Sequence, residues 1–182
     1  LVTGANGLLG QKLVQKLSRR DAVHLIATGV GANRNPMDEG YVYEKMDITK
    51  PDEVRKIFEK YEPTEIINTA AMTNVDQCEK EQDACWELNV KAVETQLALC
   101  KEFETRMIHI STDFIFDGNA GPYTEKGTPN PLSVYGKSKL EAENLVIASS
   151  VPFAIARTML VFGVVADMSR SNIVLWAKKS LE

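Results

Sequence analysis

The sequence predicts an α/β protein built on a doubly wound parallel sheet. Short apolar runs alternate with stretches of helical periodicity along most of the 182 residues, which is typical of βαβ units. The runs "HLIAT", "EIIN" and "MIHI" are apolar at nearly every position, as expected for strands covered by helices on both faces. A glycine-rich loop joins the first strand to the first helix, where such folds bind nucleotides.

The individual elements follow from these two periodicities. The predicted strands are "LVT", "VHLIATG", "YVYEKMDI", "EIINTAA", "RMIHIST" and "PFAIART". The predicted helices are "QKLVQKLSRR", "PDEVRKIFEKY", "ACWELNVKAVETQLALCKEF" and "LSVYGKSKLEAENLVIAS". Pro51 stands near the first turn of the second helix, a position that suits proline. The segment 116–132 is rich in Gly, Pro and Asn, which indicates a functional surface loop beside a site.

Composition narrows the class of protein. With 44% hydrophobic residues and a net charge of -4, the chain suits one globular domain with a sizeable core. The charge gives no reason to expect nucleic-acid binding, and no apolar run reaches the ~20 residues of a membrane helix. Its three cysteines show neither CxxC nor zinc spacing. We therefore expect reduced, packed thiols in a cytoplasmic protein.

Both ends of the chain suggest that it is part of a longer protein. It begins "LVTGANG", at the end of a strand pattern, and stops within the helical pattern "SNIVLWAKKSLE" without a capping signal. We predict a nucleotide-binding domain over residues 1–157. Residues 158–182 are predicted to be the start of a smaller C-terminal substrate-binding region.

The glycine loop "TGANGLLG" predicts a pyrophosphate site. Gly4, Gly7 and Gly10 recur every three residues between a strand and a helix, where a tight turn lets phosphates reach the amides of the helix N-terminus. A glycine triplet alone also fits an ordinary tight turn. Its position at the start of a βαβ series favours the Rossmann-type, nucleotide-binding interpretation.

The adenosine end of the cofactor is predicted from the second and third strands. An acidic residue at the end of the second strand would favour NAD, but Gly29 stands there and Arg34 follows in the loop. Arg34 is therefore either a ligand of the NADP 2′-phosphate or an ordinary loop charge. Asp47, at the end of the third strand, is predicted to meet the adenine amine. The alternative role, as a helix N-cap before Pro51, would need a position closer to the helix.

Four motifs in order identify a family. "GANGLLG", "NTAA" (68–71), "STDFIFDG" (111–118) and "YGKSK" resemble the extended short-chain dehydrogenase/reductase family, almost from end to end. Within it, "AAMTNVDQCE" and "PLSVYGKSKLEAE" look most like reductases that act on the C4 carbonyl of a dTDP-linked 4-keto-6-deoxysugar. The implied partner is that keto sugar, and the implied cofactor is NADPH, with NADH as an alternative.

The resemblance implies that Thr112, Tyr135 and Lys139 are catalytic and that Thr112, Asp113 and Tyr135 contact the substrate. Tyrosine and lysine four residues apart also fit an exposed helix turn. The chemistry favours catalysis, because a tyrosine pKa of about 10 is too high for proton exchange at neutral pH. A neighbouring ammonium would lower that pKa. Thr112 would hydrogen-bond the substrate carbonyl oxygen as negative charge develops there, and Lys139 is also implied to bind the nicotinamide ribose.

The remaining cofactor contacts are also implied by the resemblance. Asn89 has an alternative role as a satisfied polar residue inside its helix. His24 and His109 are both interpreted as structural, because neither has a partner at metal spacing. The full predicted set is Gly4, Asn6, Gly7, Leu8, Leu9, Gly10, Arg34, Asp47, Ile48, Ala70, Ala71, Thr73, Asn89, Tyr135 and Lys139.

Other functions within the same family remain as alternatives. A dehydratase would carry Thr-Asp-Glu, whereas this chain has Phe114 after Asp113. An epimerase would share the tyrosine and lysine. A non-catalytic NADP-binding regulatory subunit often loses one of them, and both remain here. Lys12 stands where some of these reductases place an acidic residue for a metal-bridged dimer, so no metal is predicted, and a homodimer of another kind stays open.

Overall fold

The structure, a computed structural model, describes residues 1–166 and 173–182. Its strands are β1 (Val2–Thr3), β2 (Ile26–Gly29), β3 (Val42–Lys45), β4 (Glu65–Asn68), β5 (Arg106–Thr112) and β6 (Phe153–Thr158). They form one sheet in the order β3-β2-β1-β4-β5-β6. Every neighbouring pair is parallel. The predicted doubly wound parallel sheet is confirmed.

The helices connect these strands. They are α1 (Leu8–Leu17), α2 (Pro51–Tyr61), α3 (Val75–Lys80), α4 (Gln82–Trp86), α5 (Ala92–Glu102), α6 (Val134–Ala148) and α7 (Ile173–Leu181). A π-helical turn, Glu87–Lys91, joins α4 to α5, and a 3₁₀ turn, Asp113–Ile115, follows β5. Within residues 1–166 and 173–182, no helix is long and apolar enough to cross a membrane.

Local capping explains where several helices begin. Pro51 opens α2, where its missing amide donor costs nothing. The Ser133 side chain accepts a hydrogen bond from Gly136 N at 3.0 Å and so caps α6. Asn74 caps α3 in the same way, accepting from Gln77 N at 3.0 Å. The sequence interpretation missed α3, although Asn74 followed by Gln77 three residues later matches a capping box.

Apolar side chains pack on both faces of the sheet. Neighbouring strand residues point to opposite faces, and Leu1 and Val2 accordingly belong to different clusters. The larger cluster takes side chains from α2, α5 and α6, including the fully buried Phe58, and the smaller one takes Val14 of α1. This two-sided burial explains why the strands read as continuous apolar runs.

The strand order positions the site. β1 pairs with β2 on one side and β4 on the other, so the chain changes direction there and the carboxyl ends of β1 and β4 open a crevice. The glycine loop follows β1 and lies at this edge. β6 ends at Thr158, one residue past the predicted domain boundary. The substrate-binding role of 158–182 stays a prediction, and 167–172 lie outside the described residues.

The expectation of reduced thiols is wrong for two cysteines. Cys78 of α3 and Cys85 of α4 form a disulfide with their Cα atoms 5.2 Å apart. The chain turns sharply at Glu81 between the two helices, which brings together residues whose spacing matches no familiar motif. Cys100 is a free, buried thiol as predicted, and burial raises its pKa to about 12.

Candidate active site

A cleft of about 780 Å³ opens at the carboxyl edge of the sheet, beside the glycine loop and the start of α6. It brings together residues from both ends of the described chain. The predicted site residues that line it are Asn6, Gly7, Leu8, Leu9, Gly10, Ala71, Thr73, Thr112, Tyr135 and Lys139. Asp113 instead lines an adjoining cleft of about 660 Å³, together with Arg157.

Close packing accounts for the glycines of the loop. Gly4 has φ 67°, and a Cβ there would lie 2.8 Å from the backbone nitrogen of Ala70. A Cβ on Gly10 would lie 2.2 Å from the carbonyl oxygen of Gly4. Neither Gly4 nor Ala70 lines the cleft, so both shape the loop from behind. Gly7 caps α1 without a side chain, which leaves the helix N-terminus open to a phosphate.

Substitution Gly10→Ala is expected to disrupt this loop and to lower dinucleotide affinity at least 10-fold. The added methyl group meets a backbone oxygen, which cannot move aside as a flexible side chain could, and overpacking of this kind typically costs about 1–3 kcal/mol. Gly121→Ala is the control, because a Cβ there would lie 3.9 Å from its nearest neighbour, the Tyr123 ring, and Gly121 does not line the cleft. Cofactor titration by fluorescence measures both, and equal affinities for the two variants would contradict the packing argument.

Asn6 ties the glycine loop to the loop after β2. Its Nδ2 donates to Ala32 O at 2.9 Å and to the Tyr43 hydroxyl at 2.8 Å. Its Oδ1 accepts from the backbone nitrogen of Arg34 at 2.9 Å. Arg34 does not line the main cleft, but this contact anchors its backbone beside the glycine loop, on the side of the predicted adenosine end.

Asp47 and Ile48 follow the end of β3. Asp47 Oδ1 accepts from Thr49 N at 2.9 Å and from Thr49 Oγ1 at 2.8 Å, and the N-cap of α2 is Lys50. Ile48 is 5% exposed and belongs to the larger apolar cluster. Neither Asp47 nor Ile48 lines the main cleft, so their contact with adenine stays a prediction.

Thr112 and Tyr135 are brought together from different elements. Thr112 ends β5, Tyr135 lies in the first turn of α6, and both side chains are buried. Thr112 Oγ1 donates to Asp113 Oδ1 and accepts from Phe114 N, both at 3.2 Å, and the Thr112 and Tyr135 side chains line the same cleft. The Phe114 ring packs edge-on against Tyr135, with 5.7 Å between ring centres. This places two hydroxyl groups where a carbonyl oxygen could accept hydrogen bonds from both.

The pKa of Tyr135 differs from the sequence expectation. Burial raises the pKa of Tyr135 above the ordinary tyrosine value, and the neighbouring Thr112 side chain opposes this only in part. The expected lowering by Lys139 is wrong for this structure, because the lysine makes its contacts elsewhere. Lys139 Nζ donates to Ile110 O at 2.7 Å and lies 3.2 Å from His109 Nε2.

Lys139 is one of the most buried cations of the described chain, with 3% of its surface exposed. Burial lowers its pKa to about 8, and the carboxylate of Glu143 opposes that shift. A lysine poised in this range can both give and take a proton near neutral pH. The interpretation of His109 as purely structural overlooked its contact with Lys139, and no spacing motif in the sequence signals that contact.

Asn89 supports the cleft from behind. It lies in the π-helical turn, is 1% exposed and does not line the cleft. Its Oδ1 accepts from Met72 N at 2.8 Å, and its Nδ2 donates to Met72 O and Ser138 Oγ, both at 3.0 Å. Ser138 Oγ donates in turn to the carbonyl of Tyr135 at 2.7 Å. Asn89 therefore joins the cleft wall at Met72 to the helix that carries Tyr135 and Lys139.

The cleft fits a dinucleotide. The glycine loop and the N-terminus of α1 line it, where backbone amides can bind a pyrophosphate. Ser111 also lines the cleft, and its buried hydroxyl has no hydrogen-bond partner in the part of the chain that the structure describes. A buried polar group normally has a partner, so this hydroxyl is suited to a bound ligand.

Comparison with known proteins decides the family. A sequence profile of the RmlD substrate binding domain matches residues 1–178. The chain belongs to the RmlD substrate binding domain family. A dTDP-4-dehydrorhamnose reductase of Aggregatibacter actinomycetemcomitans is 35% identical over 164 residues, which are 90% of this chain and 51% of that protein. Methionine adenosyltransferase 2 subunit beta of Danio rerio is 36% identical over 177 residues, 96% of this chain and 51% of that protein.

Solved structures of RmlD-type reductases share the fold. A dTDP-4-dehydrorhamnose reductase of Clostridium acetobutylicum superposes with a TM-score of 0.80 at 32% identity, covering 98% of this chain and 57% of that one. The enzyme of Bacillus anthracis, solved in complex with NADP, gives a TM-score of 0.79 at 28% identity over 98% of this chain and 57% of that one. The chain thus spans about half the length of the curated relatives that it matches.

Proposed function

We propose that this chain is the cofactor-binding and proton-transferring part of a dTDP-4-dehydrorhamnose reductase. The substrate would be a dTDP-linked 4-keto-6-deoxysugar, reduced at C4. The observation that carries the proposal is that three buried residues, Thr112, Tyr135 and Lys139, line the glycine-loop cleft together, with Lys139 one helical turn after Tyr135 on α6. The reductases named above support the choice of substrate.

The bound cofactor would supply the hydride that the C4 carbon accepts. Thr112 would hold the carbonyl oxygen in place and stabilise its growing negative charge. Tyr135 would donate its hydroxyl proton to that oxygen, which completes the alcohol and leaves a phenolate. Lys139 would return a proton to Tyr135 and regain one from solvent through the open cleft. The proton balance therefore needs only water and these side chains.

NADPH is expected to bind at least as tightly as NADH, because Gly29 replaces the acid that would repel a 2′-phosphate and Arg34 is anchored nearby by Asn6. Arg34→Gln should weaken NADPH binding by about 10-fold to 100-fold, the range expected for one hydrogen bond to a charged group. NADH affinity should change little. Fluorescence titration of both cofactors measures this, with Arg20→Gln as a charge-matched control. A clear preference of the wild type for NADH would refute the role given to Arg34.

The direct test of the proposed function is an assay of the full-length protein. Purified protein is incubated with a dTDP-4-keto-6-deoxysugar and either NADPH or NADH, and cofactor oxidation and sugar product are followed together. Stoichiometric formation of the 4-hydroxy sugar is the expected result. Cofactor binding without any reduction of nucleotide-linked keto sugars would exclude the proposal.

A second function has its own support, because methionine adenosyltransferase 2 subunit beta is as similar to this chain as the reductase is. The chain would then be a regulatory subunit that binds a methionine adenosyltransferase. The complete Thr112, Tyr135 and Lys139 arrangement favours the reductase, since a regulatory subunit does not need a proton donor. Co-purification with a methionine adenosyltransferase, together with absent reductase activity, would favour the subunit.

A further inference from the structure

His109 is buried beside Lys139 on strand β5, next to the edge strand β6. It is 1% exposed, and its Nε2 lies 3.2 Å from Lys139 Nζ. Its Nδ1 lies 3.4 Å from the Nδ2 of Asn68, whose Oδ1 accepts from the Thr3 hydroxyl at 2.6 Å. Thr3, Asn68 and His109 come from the adjacent strands β1, β4 and β5. These three side chains form a polar row across β1, β4 and β5 that ends at Lys139.

This row can satisfy Lys139 in either protonation state. An ammonium group only donates, whereas a neutral amine can also accept. A neutral imidazole has one donor and one acceptor, and a side-chain amide that turns by 180° can present either its oxygen or its NH₂ group to the ring. The ring therefore accepts from the ammonium when its proton is on Nδ1, and donates to the amine when its proton is on Nε2. Burial and then the charge of Lys139 hold the pKa of His109 well below its ordinary value, which keeps the ring neutral.

We propose that His109 is a positioning residue for the proton transfer of Tyr135 and Lys139: it holds Lys139 Nζ against Ile110 O and remains its hydrogen-bond partner whether the lysine is charged or neutral. The proposal rests on the proposed reductase function. Without this partner, a buried lysine would lose a hydrogen bond in one state or both, and such a loss is costly in the interior.

The direction of the pH effect follows from the groups that face the lysine. These are His109 and the Ile110 carbonyl from β5, Tyr135 one turn before it on α6, and Glu143 one turn after it. Glu143 is itself paired with Arg157. Without His109, the ammonium group of Lys139 loses a hydrogen-bond acceptor, which destabilises the charged form of the lysine. The pKa of Lys139 should therefore fall, and the alkaline limb of the kcat profile should move to lower pH.

The experiment compares three variants of the full-length protein. His109→Leu removes the ring, and His109→Gln keeps an amide that can donate and accept. Met107→Ala is the control, because Met107 is fully buried two residues earlier on the same strand face and belongs to the larger apolar cluster. The measurements are kcat against pH with NADPH and keto sugar, and the titration of Lys139 by NMR with ¹³C-labelled lysine. The Lys139 signal is identified by its loss in Lys139→Met.

We expect His109→Leu to lower kcat about 10-fold to 100-fold, with its alkaline limb and the Lys139 titration both shifted to lower pH. In His109→Gln, kcat and the pKa of Lys139 should both lie close to those of the wild type. This variant also tests the proposal if His109→Leu does not fold. An unchanged Lys139 titration in the variants, or a loss of kcat no larger than that of Met107→Ala, would overturn the proposal. If the wild type reduces no keto sugar, the reductase function fails, whereas the lysine titration still decides the role of His109.

Discussion

Replacement of Tyr135 by phenylalanine should lower kcat by about 10²–10⁴-fold, the contribution that a positioned proton donor typically makes. The substitution removes only the hydroxyl group of a side chain that lines the cleft. The ring and its edge-on packing against Phe114 remain. Thermal stability and NADPH affinity should therefore change little. Steady-state kinetics and cofactor titration on the same preparation separate these effects.

Two further variants make the result specific. Tyr61→Phe, at the end of α2, removes a hydroxyl that donates to Glu44 of β3, away from the cleft, and should leave kcat unchanged. Lys139→Ala should weaken both turnover and cofactor binding, since the lysine is proposed to serve Tyr135 and the nicotinamide ribose. A Tyr135→Phe protein that keeps full turnover would show that another group donates the proton.

Replacement of Arg157 by leucine should destabilise the fold by about 3–5 kcal/mol, the usual cost of leaving one partner of a buried ion pair alone. Glu143 is fully buried, and Arg157 Nη2 lies 2.7 Å from Glu143 Oε2. A second bond joins Arg157 Nε to Glu143 Oε1 at 3.0 Å. Because Arg157 lies on the edge strand β6 and Glu143 on α6, the pair connects these two elements. Urea denaturation gives the change in the free energy of unfolding.

An exposed ion pair offers the matched control. Arg55 makes two 2.8 Å hydrogen bonds to Glu102, but the two side chains are 45% and 49% exposed. Arg55→Leu should therefore cost at most about 1 kcal/mol. The double substitution of Arg157 and Glu143 by leucine and glutamine should recover part of the loss, because no buried charge is left unpaired. Equal destabilisation by Arg157→Leu and Arg55→Leu would contradict the burial argument.

The elements that the sequence predicted best are those whose signals are local. Helix α2 begins at Pro51 and ends at Tyr61 as predicted, because proline, first-turn acids and a strong apolar stripe all act within the helix. Strand β5, Arg106–Thr112, matches the predicted run because its composition reflects burial on both faces. The family motifs likewise located Thr112, Tyr135 and Lys139, which the structure gathers around one cleft.

The features that were missed depend on contacts between distant residues. The Cys78–Cys85 disulfide needs the turn at Glu81, and the contact of His109 with Lys139 needs β5 to pack beneath α6. The glycine of "YGKSK" shows the same dependence. A Cβ on Gly136 would lie 2.4 Å from Phe114 O, so the residue type is set by a turn more than 20 positions away in the sequence.

The most direct test of the central claim follows the hydride itself. The full-length protein is incubated with a dTDP-4-keto-6-deoxysugar and NADPH that carries deuterium at the transferable position of its nicotinamide, and the product is analysed by mass spectrometry and NMR. The proposed function predicts a 4-hydroxy sugar with one deuterium at C4, formed by the wild type and nearly lost in Tyr135→Phe. Unreduced sugar with intact cofactor, or a product without deuterium at C4, would contradict it.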